Sequence, residues 1–249
     1  MMKRFVYIVS LFLIFGCDAE NAPDCFQRTG TIIRVPLQVT DFKRILVNPN
    51  IELIIKEGDN TTVLLETGDN LLEEISATVE GDQLILNNTN DCNFVRSFNQ
   101  TKIFITAPDI TEIRSASQFD ISSDGILTYP SLKLLSEDFN ENTGTTTGTF
   151  NLEIRNEHIS VVSNNIASFF IRGSTASLNV TFASGIGRFE GAELEVQNVT
   201  IFHRGTNKII VNPQESIKGS IRSTGDIIAV NRPPIVEVEE FFIGRLIFQ

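Results

Sequence analysis

From Thr31 onward the chain is written in short apolar runs that alternate with polar residues. Thr31–Val35, Ile51–Ile55, Thr62–Leu65, Gln83–Leu86 and Lys102–Ile105 are rich in β-branched and aliphatic side chains, the pattern of strands buried on one face. Gly58-Asp59-Asn60, Gly68-Asp69-Asn70 and Gly81-Asp82 separate these runs and permit the positive φ that tight turns require. Leu71–Ala77 predicts a helical turn at most, and no stretch holds a strong helical period. The pattern specifies an all-β fold.

The second half carries an internal repeat. A small or turn residue, one further residue and a large apolar one recur as Gly148-Thr149-Phe150, Ala167-Ser168-Phe169, Gly187-Arg188-Phe189, Asn207-Lys208-Ile209, Gly225-Asp226-Ile227 and Gly244-Arg245-Leu246. The apolar members stand 19, 20, 20, 18 and 19 residues apart. A second strand per unit is read at Leu152–Ile154, Leu178–Val180, Val199–Ile201 and Ile217–Ile221. One such unit is too small to bury its inward face. Stacked units align the apolar residues into a continuous core and pair each strand with the next, which predicts a β-solenoid. A β-sandwich is the alternative, since its turns also recur at regular intervals.

The N-terminus adds an address. Lys3 and Arg4 precede the apolar run Phe5–Phe15, which is shorter than the ~20 residues of a membrane span and reads as a secretory signal peptide. Its ending Ile14-Phe15-Gly16-Cys17 resembles a bacterial lipobox, with acylation at Cys17. The expected layout is a signal peptide at 1–16, a tether at 17–25 and one all-β body at 26–249. That body divides into a strand layer at about 26–110 and solenoid repeats at about 111–249. Loss of Lys3 and Arg4 takes the formal net charge from −11 to −13. So acidic a body excludes nucleic acid, whose binding depends on Lys/Arg–phosphate contacts. With Cys17 lipidated, Cys25 and Cys92 are an even pair outside the cytoplasm, and one disulfide is expected.

Reactive constellations are scarce. His158 and His203 stand in no metal-ligand spacing, and both read as surface or edge residues. Asp138, Asn140 and Asn142 alternate like calcium ligands, but Gly144 is one residue late and Thr149 stands where the closing Glu belongs. A solvated loop is the expectation there. Gly185-Ile186-Gly187-Arg188-Phe189-Glu190-Gly191 has one residue too many for a dinucleotide fingerprint and reads as a corner. Asn-x-Thr sequons at Asn60, Asn87, Asn99, Asn179 and Asn198 read as Asn/Thr-rich strands and turns. There is no Trp, and the nineteen Phe residues read as core. No catalytic residue, metal or cofactor is expected.

Four segments resemble a known family. Phe42-x-x-Ile45-x-Val47, Lys102-Ile103-Phe104-Ile105-Thr106-Ala107-Pro108-Asp109-Ile110-x-x-Ile113, and the corners Ala183-Ser184-Gly185-Ile186-Gly187 and Ser223-Thr224-Gly225-Asp226 are similar to those of the GIN domain. This is the head domain of auto-transporter adhesins, and the resemblance covers about Val39 to Arg232. It implies a right-handed β-helix-like fold and adhesion. The expected function is a lipid-anchored, non-enzymatic adhesion or interaction module of the cell envelope. It would sit at the outer membrane, on the periplasmic face or the cell surface. Its partners would be the membrane, through the lipid anchor, and a polysaccharide or an envelope or surface protein. A carbohydrate-active β-helix enzyme, lyase or hydrolase, is the alternative.

Overall fold

The computed structural model describes residues 24–138 and 147–249. Cys17, the segment read as a signal peptide, most of the tether, and Asn140 and Asn142 of the acidic run lie outside them. Within the described residues seventeen strands form one mixed sheet. The N-terminal strands are β1 (Ile32–Leu37), β2 (Arg44–Val47), β3 (Glu52–Glu57), β4 (Thr62–Gly68), β5 (Ile75–Glu80), β6 (Gln83–Asn88) and β7 (Lys102–Ala107). Three more, β8 (Glu112–Ser115), β9 (Ile121–Leu127) and β10 (Ser131–Ser136), lead to the long strands. These are β11 (Thr149–Ser163), β12 (Ser168–Phe182), β13 (Arg188–His203) and β14 (Ile209–Ile221), followed by β15 (Ile227–Ala229), β16 (Ile235–Glu240) and β17 (Leu246–Phe248). The helical turn expected near Leu71 is a 3-10 turn at Asp69–Glu74.

Two parallel ladders run through the sheet. The first passes from β7 through β3 and β9 to the opening halves of β11, β12, β13 and β14, then to β15 and β17. The second passes from β6 through β2, β8 and β10 to the closing halves of the same long strands, then to β16. At the N-terminal end the direction changes: β4 lies antiparallel to β7, β1 to β4, and β5 to β6.

The repeat read from sequence is a register. Phe150 pairs with Phe169, Phe169 with Phe189, Phe189 with Ile209, Ile209 with Ile227 and Ile227 with Leu246. The second strand of the repeat needs one correction. Leu178, Val199 and Ile217 are rungs of one ladder, but their partner in β11 is Ile159. Leu152 pairs with Ile171 in the other ladder. The reason is length: β11 runs through both ladders without a break, so a single strand carries two rungs.

Inward residues of both ladders belong to one apolar cluster. Phe150, Phe169, Phe182 and Phe189 are fully buried there, and the Phe150 and Phe169 rings stack at 4.8 Å. Reading every Phe as core fails elsewhere. Phe26, Phe94, Phe98, Phe170, Phe202, Phe241 and Phe242 are exposed, because alternate residues of a strand face opposite sides and several others lie on loops.

Corners between the ladders also stack. Ile186 N–H donates to the Asn165 carbonyl, Thr206 to Gly185, Gly225 to Gly205 and Gly244 to Ser223, at 2.9 to 3.3 Å. Within the ladders, Gly173 and Gly219 hold φ of +112° and +135°. A Cβ there would lie 2.0 Å and 1.9 Å from the carbonyl oxygens of Ile154 and Ile201. Only glycine allows both the dihedral and the close strand approach.

Candidate functional site

The sheet's outer surface holds a shallow groove of about 250 Å3 across β11, β12 and β13. It originates in a bulge. Between Glu190 and Glu195, β13 takes five steps while β14 takes two from Ile210 to Asn212, and the extra chain arches away from the ladder. Gly191 sits in this arch, where a Cβ would meet the Phe189 ring at 2.5 Å. Phe170 is 43% exposed on the groove wall. Arg172, Asn151, Glu190 and Glu193 line it as well.

Arg172 and Glu190 on the groove wall are held in ion pairs. Arg172 donates to Glu153 at 2.8 Å, and Arg188 is bonded to Glu190. An aromatic face, an arginine fork, carboxylates and an amide on an open wall suit a hydroxylated, elongated ligand lying across the strands. An Arg–carboxylate pair can hydrogen-bond hydroxyls, and an exposed ring offers an apolar face for stacking.

A second feature lies where the described chain begins. Cys25 and Cys92 form a disulfide with Cα atoms 4.4 Å apart, as the sequence led us to expect. The loop between β6 and β7 is further clamped. Phe94 N–H donates to the Cys25 carbonyl at 2.9 Å, and the Arg96 guanidinium donates to the Gln27 and Asn90 carbonyls at 3.3 and 3.1 Å. Beside it, the Asn88 side chain donates to the Asn50 carbonyl at 2.9 Å and to Thr101 Oγ1 at 3.1 Å. Asn50 holds a positive φ of 68°. These amides lock the loop to the first rungs of both ladders.

The other residues singled out from sequence are dispersed. His158 is exposed and bonded to Ser177. His203 is a correction: it is fully buried, in register between Phe182 and Ile221. Its Nε2–H donates to the Asn207 carbonyl at 2.8 Å, and Phe182 packs edge-on to the ring at 6.1 Å. Burial holds its pKa below the ordinary imidazole value, only partly offset by that hydrogen bond and by Asp226. Of the acidic run, Glu137 pairs with Arg114 inside the fold at 2.5 Å, and Asp138 accepts from Asn164. Tyr129 is buried with its hydroxyl on the Ala107 carbonyl at 2.9 Å, and desolvation pushes its pKa up. On the surface, the hydrogen bond from Arg44 holds the Asp82 carboxyl below its ordinary range. Among the described residues no group of three or more His, Cys, Asp or Glu is placed to hold a metal ion. No helix there is long and apolar enough to cross a membrane.

Sequence reasoning missed the groove. Its one available signal was the Phe169-Phe170 pair, since two neighbours on a strand cannot both face the core.

Comparison with known proteins agrees with the fold. A crystal structure titled as a putative adhesin from Bacteroides fragilis superposes with a TM-score of 0.78 at 19% identity, covering 89% of this chain and 99% of that one. A structure titled as a putative lipid binding protein from Parabacteroides distasonis gives 0.64 at 12%, with 89% and 98% covered. A third, titled as a putative adhesin from Parabacteroides merdae, gives 0.62 at 12% with the same coverage. No curated protein matches the chain in sequence. The family model described as "Putative auto-transporter adhesin, head GIN domain" matches residues 41–233, and the chain belongs to that family.

Proposed function

We propose that this protein is a non-enzymatic adhesion module of the cell envelope. Cys17 would hold it in the outer membrane by acyl chains, and its side wall would bind a polysaccharide or a neighbouring surface protein. The observation that carries this reading is the groove over β11–β13. It is open rather than enclosed, its aromatic ring is exposed, and Arg172 and Glu190 are held in ion pairs. A site built to bind along its length needs a wall of this kind, whereas catalysis favours a concave pocket that excludes water. The adhesin titles of the family and of two fold neighbours support the same class.

The remaining layout follows from it. Residues 1–16 would be removed on export, 17–25 would tether the body, and 26–249 would form a right-handed β-solenoid with an N-terminal strand layer at about 26–110. Support for the solenoid comes from the parallel rungs about twenty residues apart and from the stacked corners.

The test is binding of the purified protein to labelled envelope and host-type polysaccharides and to surface proteins. Phe170→Ala and Arg172→Ala should weaken capture while each melting temperature stays within about 4 °C of wild type. Binding that is indifferent to both substitutions would remove the groove from the function. Turnover of a glycan, lost on changing one carboxylate, would overturn the non-enzymatic reading.

A further inference from the structure

Four large apolar side chains stand in solvent around the disulfide: Phe26, Phe94, Val95 and Phe98. Phe94 is 74% exposed and Phe98 78%. They are not the loose tip of a floppy loop. The Cys25–Cys92 bond, the Phe94–Cys25 backbone hydrogen bond and the two Arg96–carbonyl bonds fix the segment that bears them. Asn93 closes it further by accepting from Arg96 N–H and donating to the Arg96 carbonyl, at 2.9 and 2.8 Å. The Phe26 and Phe94 rings lie 5.8 Å apart. A rigid loop that holds aromatic rings outward, without a covering element, marks a contact surface.

The occupant follows from where the chain leads. Eight residue steps separate Cys25 from Cys17, and at 3.3–3.6 Å per step the acylated residue lies within about 29 Å of the disulfide. If Cys17 sits at the membrane surface, this patch is the part of the body delivered there. A tether this short raises the local concentration to the millimolar range, so even weak apolar affinity is sufficient for docking. At the edge of the patch, Arg28 and Val95 share one concavity with Asp69 and Arg96, the Arg96 guanidinium being engaged by the Gln27 and Asn90 carbonyls. The match to a phospholipid surface is therefore carried by the exposed aromatic rings, which suit its acyl boundary.

We propose that the face formed by Phe26, Phe94, Val95 and Phe98 rests in the interfacial layer of the membrane that holds Cys17. The bilayer then fixes the orientation of the body as well as its location. The proposal rests on the reading of Cys17 as an anchor, and the experiment separates the two.

The chain contains no Trp, so a single Trp reports its own surroundings. Phe98→Trp and Phe94→Trp are compared with Phe242→Trp, on the exposed corner before β17. Each protein is bound to vesicles of phosphatidylethanolamine, phosphatidylglycerol and brominated phosphatidylcholine. Attachment is by its own acyl chains or, if the protein is recovered unacylated, by coupling the Cys17 thiol to a maleimide lipid. Expected are blue-shifted emission and strong quenching by brominated lipid at positions 94 and 98, with neither at 242. Unquenched emission at 94 and 98 in attached protein overturns the docking. Recovery without acyl chains overturns the anchor alone, because the coupled protein still tests the patch. Equal quenching at all three positions means adsorption without a preferred face and also overturns it.

Discussion

Replacing Phe169 by Ala is the sharpest probe of the ladder register. Its side chain is fully buried, stacked on Phe150 at 4.8 Å and tilted against Phe182 at 6.0 Å. Deleting a buried Phe side chain costs about 3–5 kcal/mol, the sum of lost transfer energy and a cavity that relaxes only in part. Relaxation is restricted here because the neighbouring rungs, Phe150 and Phe189, are held by strand pairing on both sides. At about 2–4 °C per kcal/mol for a domain of this size, the melting temperature should fall by roughly 6–20 °C. Phe170, the next residue, is the matched control, with the same side chain on the opposite face of the same strand. Phe170→Ala should cost about 1 kcal/mol or less. Urea melts followed by far-UV circular dichroism measure both, with an unchanged slope expected for each. Equal losses, or the larger loss at Phe170, would refute the assignment of inward and outward faces.

Three further outcomes are expected. Removing the disulfide with Cys25→Ser and Cys92→Ser should cost roughly 4 kcal/mol by the chain-entropy relation for a loop of 67 positions. Thiol titration of the denatured, unreduced wild type should find neither cysteine free. Stability should also fall as pH drops below 6.5, the ordinary value from which burial depresses His203. The unfolded chain takes up that proton first, so the contribution is full above 6.5 and is lost as pH falls toward the folded value. His203→Leu should flatten the urea midpoint between about pH 6.5 and pH 5, above the range where ordinary Asp and Glu protonate; an unchanged slope would argue against a buried neutral imidazole. Gly219→Ala should destabilise far beyond the usual surface range, because φ of +135° and the Ile201 carbonyl both oppose a Cβ. Thermal melts of that variant indistinguishable from wild type would mean that the strands can part there freely.

The repeat was legible because it rests on one physical requirement, that each rung place an apolar side chain over the last. Phe150, Phe169, Phe189, Ile209, Ile227 and Leu246 satisfy it in sequence and in register alike. Cys25 and Cys92 were legible by parity. What sequence hid depended on knowing how far each strand extends. With β11 to β14 counted as short strands, Leu152 fell into the wrong ladder and His203 looked like an edge residue. Once the second ladder is aligned through Phe182, His203 and Ile221, the imidazole must face inward. The exposed phenylalanines were misread because residue type was allowed to outweigh alternation. The groove was hidden for a different reason: a bulge is a mismatch between two strands, and a single strand's sequence does not record it, so only the Phe169-Phe170 pair hinted at an outward ring.

The last rungs carry a consequence of their own. β16 and β17 end the two parallel ladders, and β16 presents Glu237, Glu239 and Glu240 along its length with Ile235 and Val236 exposed. A terminal strand with free backbone groups is a template for another chain, and inserting like charges there is a common protection. Glu237 is paired with Lys218 and Glu240 with Arg245, so these polar groups, with Glu239 adding its charge, behave as a hydrated fender between copies. Replacing Glu237, Glu239 and Glu240 with uncharged apolar residues should leave an apolar, hydrogen-bond-hungry edge and drive self-association. The same stacking rule that builds the molecule from within would then operate between molecules.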